Sequence, residues 1–226
     1  MRFAPDVSDD GRVWVIRLLG TPVDAGQVDT RRTELAADGG ALVLLAAVQD
    51  QLLGHEPTWR SVEVATYPSR SAVPTPAPTS ADEPMIAVTT RPIGWPRIPD
   101  DAPAWEDVPH PPTAEDPSVI VIHVIRFHDG GAQNDMVSYQ DEAGKVAVPH
   151  GVRIDGWFGV TDQLAGDGRA WDQVRFNAFP SRAAFMAVVF DPARMTAHKD
   201  HREVAIDDTY TMVLRPIVDE LAASVG

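Results

Sequence analysis

The chain has 226 residues, of which 44% are hydrophobic, and its 33 acidic and 19 basic side chains give a formal net charge of −14. This composition is typical of a globular protein with one large domain or two small ones. The acidic charge argues against nucleic acid or an anionic membrane as a partner, since both bind basic faces, and the lack of cysteine excludes disulfides, thiolate metal sites and a cysteine nucleophile.

The N-terminal sequence MRFAPDVSDDGRVWV has no basic stretch followed by an apolar run, so it does not predict a secretory signal. The longest apolar stretches, ALVLLAAV and VIVIHVI, are too short to cross a bilayer. We therefore expect a cytoplasmic protein, monomeric or homodimeric. Its expected partner is a small-molecule ligand, with no nucleic acid and no membrane.

The first half of the chain predicts one helix among four strands. Asp24 and the glutamine three residues later form a capping box, which is typical of a helix start. The stretch SAVPTPAPTSADEP, which begins at Ser71, predicts a loop or a single turn, because proline removes backbone donors and clashes inside helices. The predicted elements are the strand Val13–Leu19, the helix Asp24–Ala37 and the strands Ala41–Val48, Val62–Tyr67 and Met85–Thr90.

A proline-rich segment, residues 94–117, connects the two halves and is predicted to be stiff and semi-extended. It is either a simple spacer or an arm that lies across the body of the protein. We favour the packed arm, because Trp95 and Trp105 would otherwise be exposed in a free linker.

The second half predicts the same order of elements with an added helical segment. Ser181 is a possible N-cap, and Asp191 followed by a proline is typical of a second helix start, so residues 182–206 are expected to be helical with a break at that point. The other predicted elements are the strand Val119–Phe127, the helix Asp135–Val146 and the strands Val152–Val160, Val174–Phe179 and Thr209–Leu214.

An internal repeat links the two halves. Val48–Val73 and Val160–Phe185 share 11 of 26 residues without gaps, including a Trp and a Pro-Ser-Arg motif. With the order β-α-β-β-(α)-β in each half, this predicts an α+β fold of two ferredoxin-like modules. The expected division is module 1 at residues 1–93, with its second helix reduced to a loop, the linker at 94–117, and module 2 at 118–226.

Two stretches of the second half, RFNAFPSRAAFMAVVFDPARMTAHKDHRE from Arg175 and TYTMVLRPI from Thr209, resemble the dimeric α/β-barrel superfamily, and in particular its small uncharacterised members. The resemblance implies that the two modules pack as an internal pseudo-dimeric α/β barrel around a pocket. That superfamily includes cofactor-free monooxygenases, lactone isomerases, polyketide cyclases, haem-binding chlorite dismutases and members without known activity, so the fold does not decide the function.

Residues 173–179 alternate between two sets of side chains. The apolar set is expected to face the helices and consists of Val174, Phe176 and Ala178. The other set is expected to face the barrel interior and consists of Gln173, Arg175, Asn177 and Phe179, with Glu63 and Tyr67 at the corresponding positions of the first half. Arg175 and Glu63 either form a structural ion pair or are separately solvated, or else Arg175 and Asn177 orient an anionic or carbonyl oxygen in a pocket.

His123 lies in the middle of the apolar strand VIVIHVIRF, opposite Trp14 in an alignment that also pairs Arg17 with Arg126. It is either a hydrogen-bonded structural histidine or a group that exchanges protons with a ligand. Strand alternation predicts that His123 and Arg175 share a pocket on the sheet face away from the helices. A neighbouring arginine would lower the pKa of the imidazole.

No motif for a metal or a cofactor is apparent. His198 and His201 are three residues apart on a predicted helix, but no third ligand accompanies them, so we expect an exposed helix face. The glycine pairs lack the context of a phosphate-binding loop, and there is no GxSxG motif. We expect neither a metal nor a cofactor.

These residues and the resemblance predict a small cofactor-independent enzyme of the oxygenase, isomerase or cyclase type, acting on an aromatic, polyketide-like or lactone-like metabolite. His123 would be the acid or base, and Arg175 and Asn177 would hold substrate oxygens. The substrate-binding residues would be Trp157, Phe179, Tyr67 and Glu63. The alternative is a non-catalytic ligand-binding or assembly module with a barrel filled by side chains. A cavity with converging His and Arg favours the enzyme, and a filled interior favours the module.

Overall fold

Strands of the computed structural model, which describes residues 10–76, 83–131, 135–166 and 168–225, form one closed sheet. The strands are β1 (Val13–Leu19), β2 (Ala41–Leu53), β3 (Ser61–Tyr67), β4 (Met85–Pro92), β5 (Val119–Phe127), β6 (Arg153–Ala165), β7 (Gln173–Phe179) and β8 (Ile206–Asp219). The helices are α1 (Val28–Ala37), α2 (Asp135–Ala147), α3 (Arg182–Val189), α4 (Pro192–Ala197), α5 (Glu203–Ala205) and α6 (Leu221–Val225). None of the helices in these described ranges is long and apolar enough to cross a membrane.

The strands follow one another around the barrel in the order β1-β3-β2-β8-β5-β7-β6-β4, and β4 then pairs with β1. Every pair is antiparallel. The predicted fold class, two ferredoxin-like α+β modules forming a pseudo-dimeric α/β barrel, is therefore wrong. The structure is a single eight-stranded antiparallel barrel with few helices. The tandem duplication and the division at residues 94–117 stay predictions.

The closure of the sheet depends on strands that are longer than predicted. β2 continues to Leu53 rather than ending at Val48, and β6 continues beyond Val160. The added residues pair with strands of the other half: Gln51 lies opposite Met212 of β8, and β6 pairs with β4 in a similar way. Every strand thus has two hydrogen-bonded neighbours, so the sheet has no free edge.

Apolar side chains from all eight strands fill the barrel interior, which is just wide enough for side chains in a barrel of this size. Trp59 and Trp171 both pack against Tyr210, with ring centroids 5.8 and 5.3 Å apart, respectively. Val174 and Phe176 also lie in this interior cluster. The prediction that this set faces the helices is therefore wrong, and so is the prediction of a pocket inside the barrel.

Helices cover parts of the outer barrel surface, and their starts confirm the predicted capping residues. The side chain of Asp24 accepts from a backbone amide within a complete capping box ahead of α1. The Ser181 hydroxyl accepts from the Ala184 amide at 3.0 Å, and Asp191 caps α4, whose first residue is a proline. The predicted helix break lies here, since α3 ends at Val189.

The proline-rich segment is a packed arm, as predicted. The indole of Trp105 donates to the Gly151 carbonyl at 2.7 Å, and the guanidinium of Arg153 lies 4.3 Å from the Trp105 ring centroid. Near the end of the arm, the His110 carbonyl accepts from Ser181 at 2.8 Å. These contacts tie the arm to β6 and to the start of α3.

Beneath α1, the carboxylate of Glu63 is buried and paired with both Arg17 and Arg31. Burial alone would raise the pKa of this carboxyl, but the hydrogen bonds and charges of the two arginines outweigh burial and lower it. The contribution of this carboxylate to the free energy of unfolding is therefore fully present above the unfolded-state pKa. It is lost as the pH falls through the lowered folded-state pKa.

We expect Glu63→Gln to lower the free energy of unfolding by about 3–5 kcal/mol, because the change leaves the buried guanidinium of Arg17 without its carboxylate. Denaturant titration at neutral pH measures the loss. The matched control is Glu34→Gln, which removes an exposed partner of Arg31 and should cost less than about 1 kcal/mol. Equal effects of the two changes would contradict this account.

Asp155 is a buried acid near the barrel end that α6 covers. Burial and the nearby charge of Asp219 raise its pKa to about 7, against the opposing charge of Arg153. Because the folded-state pKa is the higher one, the carboxylate destabilises the fold increasingly as the pH rises from about 4 towards 7.

We expect Asp155→Asn to stabilise the protein at pH values above about 7, by up to about 4 kcal/mol. The gain should become small near pH 4, where the folded-state carboxyl is protonated and therefore neutral like the amide. Denaturant titrations at the two pH values measure it, with Asp162→Asn, at an exposed position paired with Arg70, as the control. A destabilising effect at high pH would show that the carboxylate has stabilising partners.

Candidate active site

A row of side chains crosses the outer face of the second half of the barrel. In the strand pairing, His123 of β5 lies opposite Thr211 of β8 and opposite Arg175 of β7, and Arg175 lies opposite Trp157 of β6. Directly paired residues on one face of antiparallel strands have Cβ atoms about 5 Å apart. The register therefore places these four side chains next to each other.

A cavity of about 140 Å³ lies between this row and the helices α2, α3 and α4. Its polar lining residues are His123, Tyr139, Gln140, Arg175, Asn177, Arg194 and Arg202. Its apolar lining includes Ile125, Ile154, Trp157, Phe179, Phe185 and Val188, together with Pro96 and Ile98 of the arm. The cavity thus lies on the helix side of the sheet, opposite to the predicted side.

The structure brings five of the seven predicted site residues together around this cavity: His123, Trp157, Arg175, Asn177 and Phe179. The other two, Glu63 and Tyr67, lie on the far half of the barrel. Glu63 is in its ion pairs beneath α1, and Tyr67 packs in the apolar cluster beside that helix. Arg175 and Glu63 are not paired with each other, because each half of the barrel has its own outer face.

Arg175 is held in place by neutral groups. Its side chain, only 4% exposed, donates to the side-chain oxygen of Gln173 at 2.9 Å and lies 4.1 Å from the Trp157 ring centroid. In the amide orientation that matches donors with acceptors, the oxygen of Gln140 also accepts from it at 2.8 Å. Burial and the charge of Arg202 lower the pKa of Arg175 to about 9.

His123 is a neutral imidazole at physiological pH. Burial, followed by the charges of Arg202, Arg175 and Arg194, lowers its pKa well below the usual value. Its Nδ1 atom lies 3.1 Å from the Thr211 hydroxyl oxygen. If Nδ1–H donates to this hydroxyl, Nε2 keeps its lone pair and can accept a proton.

Asn177 is oriented by a neighbour on the next strand. The indole N–H of Trp157 donates to its Oδ1 atom at 3.1 Å. Because the carbonyl oxygen is used in this way, the amide NH₂ group remains as a donor beside the cavity. Asn177 and Arg175 thus supply two adjacent sources of N–H donors on one strand.

Two further arginines of the site were missed in the sequence. The segment AHKDHRE was expected to form an exposed helix face, yet Arg202 is only 5% exposed and lines the cavity together with Arg194. Residues His198–Arg202 form one π-helical turn, a form that is rare and occurs frequently at functional sites. This turn brings residues five apart into register, so α-helical spacing gave the wrong face for Arg202.

Nothing in the described ranges forms a metal site, since no group of three or more His, Asp or Glu side chains is suitably arranged there. His198 is engaged elsewhere: its Nε2 lies 3.2 Å from Arg202 and its Nδ1 lies 3.4 Å from Glu203.

Comparisons with known proteins give similar folds and no matching family. No protein-family model and no curated protein matches the chain. Among solved structures, an anthrone oxidase-like protein is 12% identical over 95% of this chain and 97% of its own, with a TM-score of 0.53. A chlorite dismutase from Candidatus Nitrospira defluvii is 11% identical over 97% of each chain, with a TM-score of 0.48.

A protein of unknown function from Rhodopseudomonas palustris is 24% identical to this chain, covering 46% of this chain and 94% of its own, with a TM-score of 0.41. Of these three likenesses, only the one to the anthrone oxidase-like protein exceeds a TM-score of 0.5, and it shows a shared fold alone.

We expect Arg202→Met to raise the pKa of His123, because removing a nearby positive charge favours the imidazolium. Long-range ¹H–¹⁵N correlation spectra of the ring nitrogens, recorded across a pH series, measure the change. The control is Lys199→Met, which removes a positive charge from an exposed position in the same turn and should leave the titration unchanged. An unchanged titration in Arg202→Met would contradict the electrostatic origin of the shift.

Proposed function

We propose that the protein is a small enzyme that removes a proton from an aromatic, polyketide-like or lactone-like metabolite bound in the cavity, without a cofactor. The observation that carries the proposal is the convergence of a neutral histidine with the donors of Arg175 and Asn177 on one cavity wall. A neutral base next to fixed N–H donors is the arrangement that enolisation requires.

The proposed step begins with a C–H bond next to a substrate carbonyl. The lone pair of His123 Nε2 takes the proton, and the C–H electron pair moves to the carbonyl oxygen to give an enolate. Arg175 and Asn177 donate hydrogen bonds to that oxygen as its negative charge develops. The proton on His123 can return at another carbon, which is an isomerisation. Alternatively, the carbanion can attack a second carbonyl carbon of the substrate, and the resulting alkoxide takes the proton from His123, which closes a ring.

Thr211 and Trp157 act through these groups as positioning residues. Thr211 holds the Nδ1 side of the imidazole, and Trp157 fixes the amide of Asn177. The aromatic faces of Trp157 and Phe179 provide the apolar wall for the substrate body. The fold shared with an anthrone oxidase-like protein is consistent with an enzyme of this type.

A non-catalytic ligand-binding module is the second candidate, and the filled barrel interior favours it. Both candidates use the same cavity. They differ in whether a bound ligand loses a proton, and exchange with solvent measures this difference.

The test is deuterium exchange. Small phenols, 1,3-dicarbonyl compounds and lactones are incubated with the protein in D₂O, and loss of the C–H signal is followed by NMR. We expect the parent protein to accelerate exchange of at least one compound that binds. His123→Ala should abolish the acceleration, and Asn177→Ala should reduce it by about 10²-fold.

The melting temperature of His123→Ala provides the control for folding. If it stays within a few degrees of the parent value while exchange is lost, His123 has a catalytic role. Binding without exchange in the parent protein would support the ligand-binding module instead. Exchange that survives in folded His123→Ala would exclude His123 as the base.

A further inference from the structure

We propose that the ligand of this cavity is a small organic anion, whose charged group lies among Arg175, Arg194 and Arg202 and whose apolar body lies against the opposite wall. The inference concerns the same site as the proposed function and names its substrate class, and it rests on that function only for the reaction that follows binding.

The first argument is the sign of the charges around the cavity. Three of its described lining residues are arginines, and none is an aspartate or glutamate. The chain as a whole has 33 acidic and 19 basic residues. The charged residues around the cavity are all basic, which is the opposite of the overall charge. A cleft lined by charges of one sign attracts ligands of the opposite charge.

The second argument is that, among the described residues, the three guanidinium groups form hydrogen bonds only with neutral acceptors, and the nearby Glu203 acts on Arg202 only through its charge. Arg175 donates to the amides of Gln173 and Gln140, Arg202 contacts a ring nitrogen of His198, and Arg194 contacts the backbone at 3.4 Å. Buried charges are normally paired with an opposite charge. Here a ligand would supply the missing negative charge.

Glu203 is the nearest acidic residue in the sequence to Arg202, but it does not fill this role. Its side chain is 61% exposed, and its carboxylate lies 3.4 Å from His198. The donors of Arg202 and Arg194 therefore remain available to a ligand. Guanidinium groups bind carboxylates through paired, nearly parallel N–H donors.

The third argument is size and the chemistry of the remaining wall. A cavity of about 140 Å³ is similar in volume to the apolar cavities of about 150 Å³ that bind benzene. One side of it is apolar and is formed by Ile125, Ile154, Phe179, Phe185 and Val188. The ligand is therefore a carboxylate of about the size of one ring, and not a multi-ring compound.

Benzoate and its neutral analogue benzamide test the proposal by isothermal titration calorimetry on the full chain. We expect saturable binding of benzoate in the millimolar range or tighter, and binding of benzamide at least about 10-fold weaker, because the amide lacks the charge. Arg202→Met and Arg194→Met should each weaken benzoate binding by about 10- to 100-fold. Lys199→Met, at an exposed position of the same turn, should bind as the parent does.

The melting temperature of the ligand-free variants separates a binding role from a structural one. We expect Arg202→Met to melt at or above the parent temperature, since an unpaired buried charge is replaced by an apolar side chain of similar length. If Arg202→Met does not fold, Arg194→Met decides the test, because its side chain is only partly buried. Weaker benzoate binding without loss of stability supports the proposal.

Three results would overturn the inference: no saturable binding of benzoate, equal binding of benzamide, or unchanged benzoate affinity in both arginine variants. These results are distinct from a failure of the proposed reaction. His123→Ala should still bind benzoate. If the parent protein binds benzoate but exchanges no C–H bond of any test compound, the anion site is supported and the enzyme is rejected. If the protein exchanges a neutral compound but does not bind benzoate, the enzyme proposal is supported and the anionic ligand is rejected.

Discussion

Closure of the sheet is the constraint on which the arrangement of all other side chains depends. Once β2 pairs with β8 and β4 pairs with β6, the barrel has an inside that only side chains can fill and an outside that must be covered or hydrated. The interior takes β-branched and aromatic residues from each of the eight strands. Polar residues in the middle of these strands must then face outwards, beneath the helices. The candidate site is therefore a space between the sheet and its helical cover, and not a hole in the barrel.

The two halves of the barrel use the same ladder position in different ways. Arg17 lies opposite Glu63 in the β1–β3 pair, and His123 lies opposite Arg175 in the β5–β7 pair. In the first half, a carboxylate binds two guanidinium groups beneath α1. In the second half, an arginine stands in the place of the carboxylate, and Arg202 of the helical cover adds a further positive charge.

A consequence of this difference is that the buried charges of the first half are paired, whereas the buried arginines of the second half form no ion pair among the described residues. In the Glu63 cluster the buried carboxylate has oppositely charged partners, so the loss of any one partner would leave an uncompensated buried charge. Burial, followed by the charge of Arg202, lowers the pKa of Arg175. Burial and the charge of Arg194 lower the pKa of Arg202, against the opposing effects of Tyr139 and Glu203. Such uncompensated charge destabilises the free protein and is typical of a site that a ligand completes.

Local patterns in the sequence predicted which strand residues share a face, but not which face becomes the barrel interior. Alternation along β7 correctly separated Arg175 and Asn177 from Val174 and Phe176, because side chains of a strand alternate between faces. Alternation cannot tell which face becomes the interior, since that depends on which strands close the sheet, far away in sequence. The same limitation applies to Glu63, which shares the face of Arg175 in its own half but lies beneath a different helix.

Register could not be read from residue identity either. Matching the shared Val-Ile-Arg segments of the two halves pairs Trp14 with His123 and Arg17 with Arg126. The ladders instead place Arg17 in the position of His123, because Arg17 pairs with Glu63 and Ala87 where His123 pairs with Arg175 and Thr211. A slip of an odd number of residues reverses every side chain, so Trp14 faces the interior while His123 faces the cavity.

Arg202 illustrates a limit of a different kind. Its burial depends on a π-helical turn, and the sequence HKDHR contains nothing that distinguishes this turn from an ordinary α-helix. The turn places the guanidinium of Arg202 at the cavity, a position that α-helical periodicity does not predict. A buried arginine without a carboxylate is costly to a folded chain. Its presence beside a neutral histidine is therefore explained better by what the cavity binds than by what holds the barrel together.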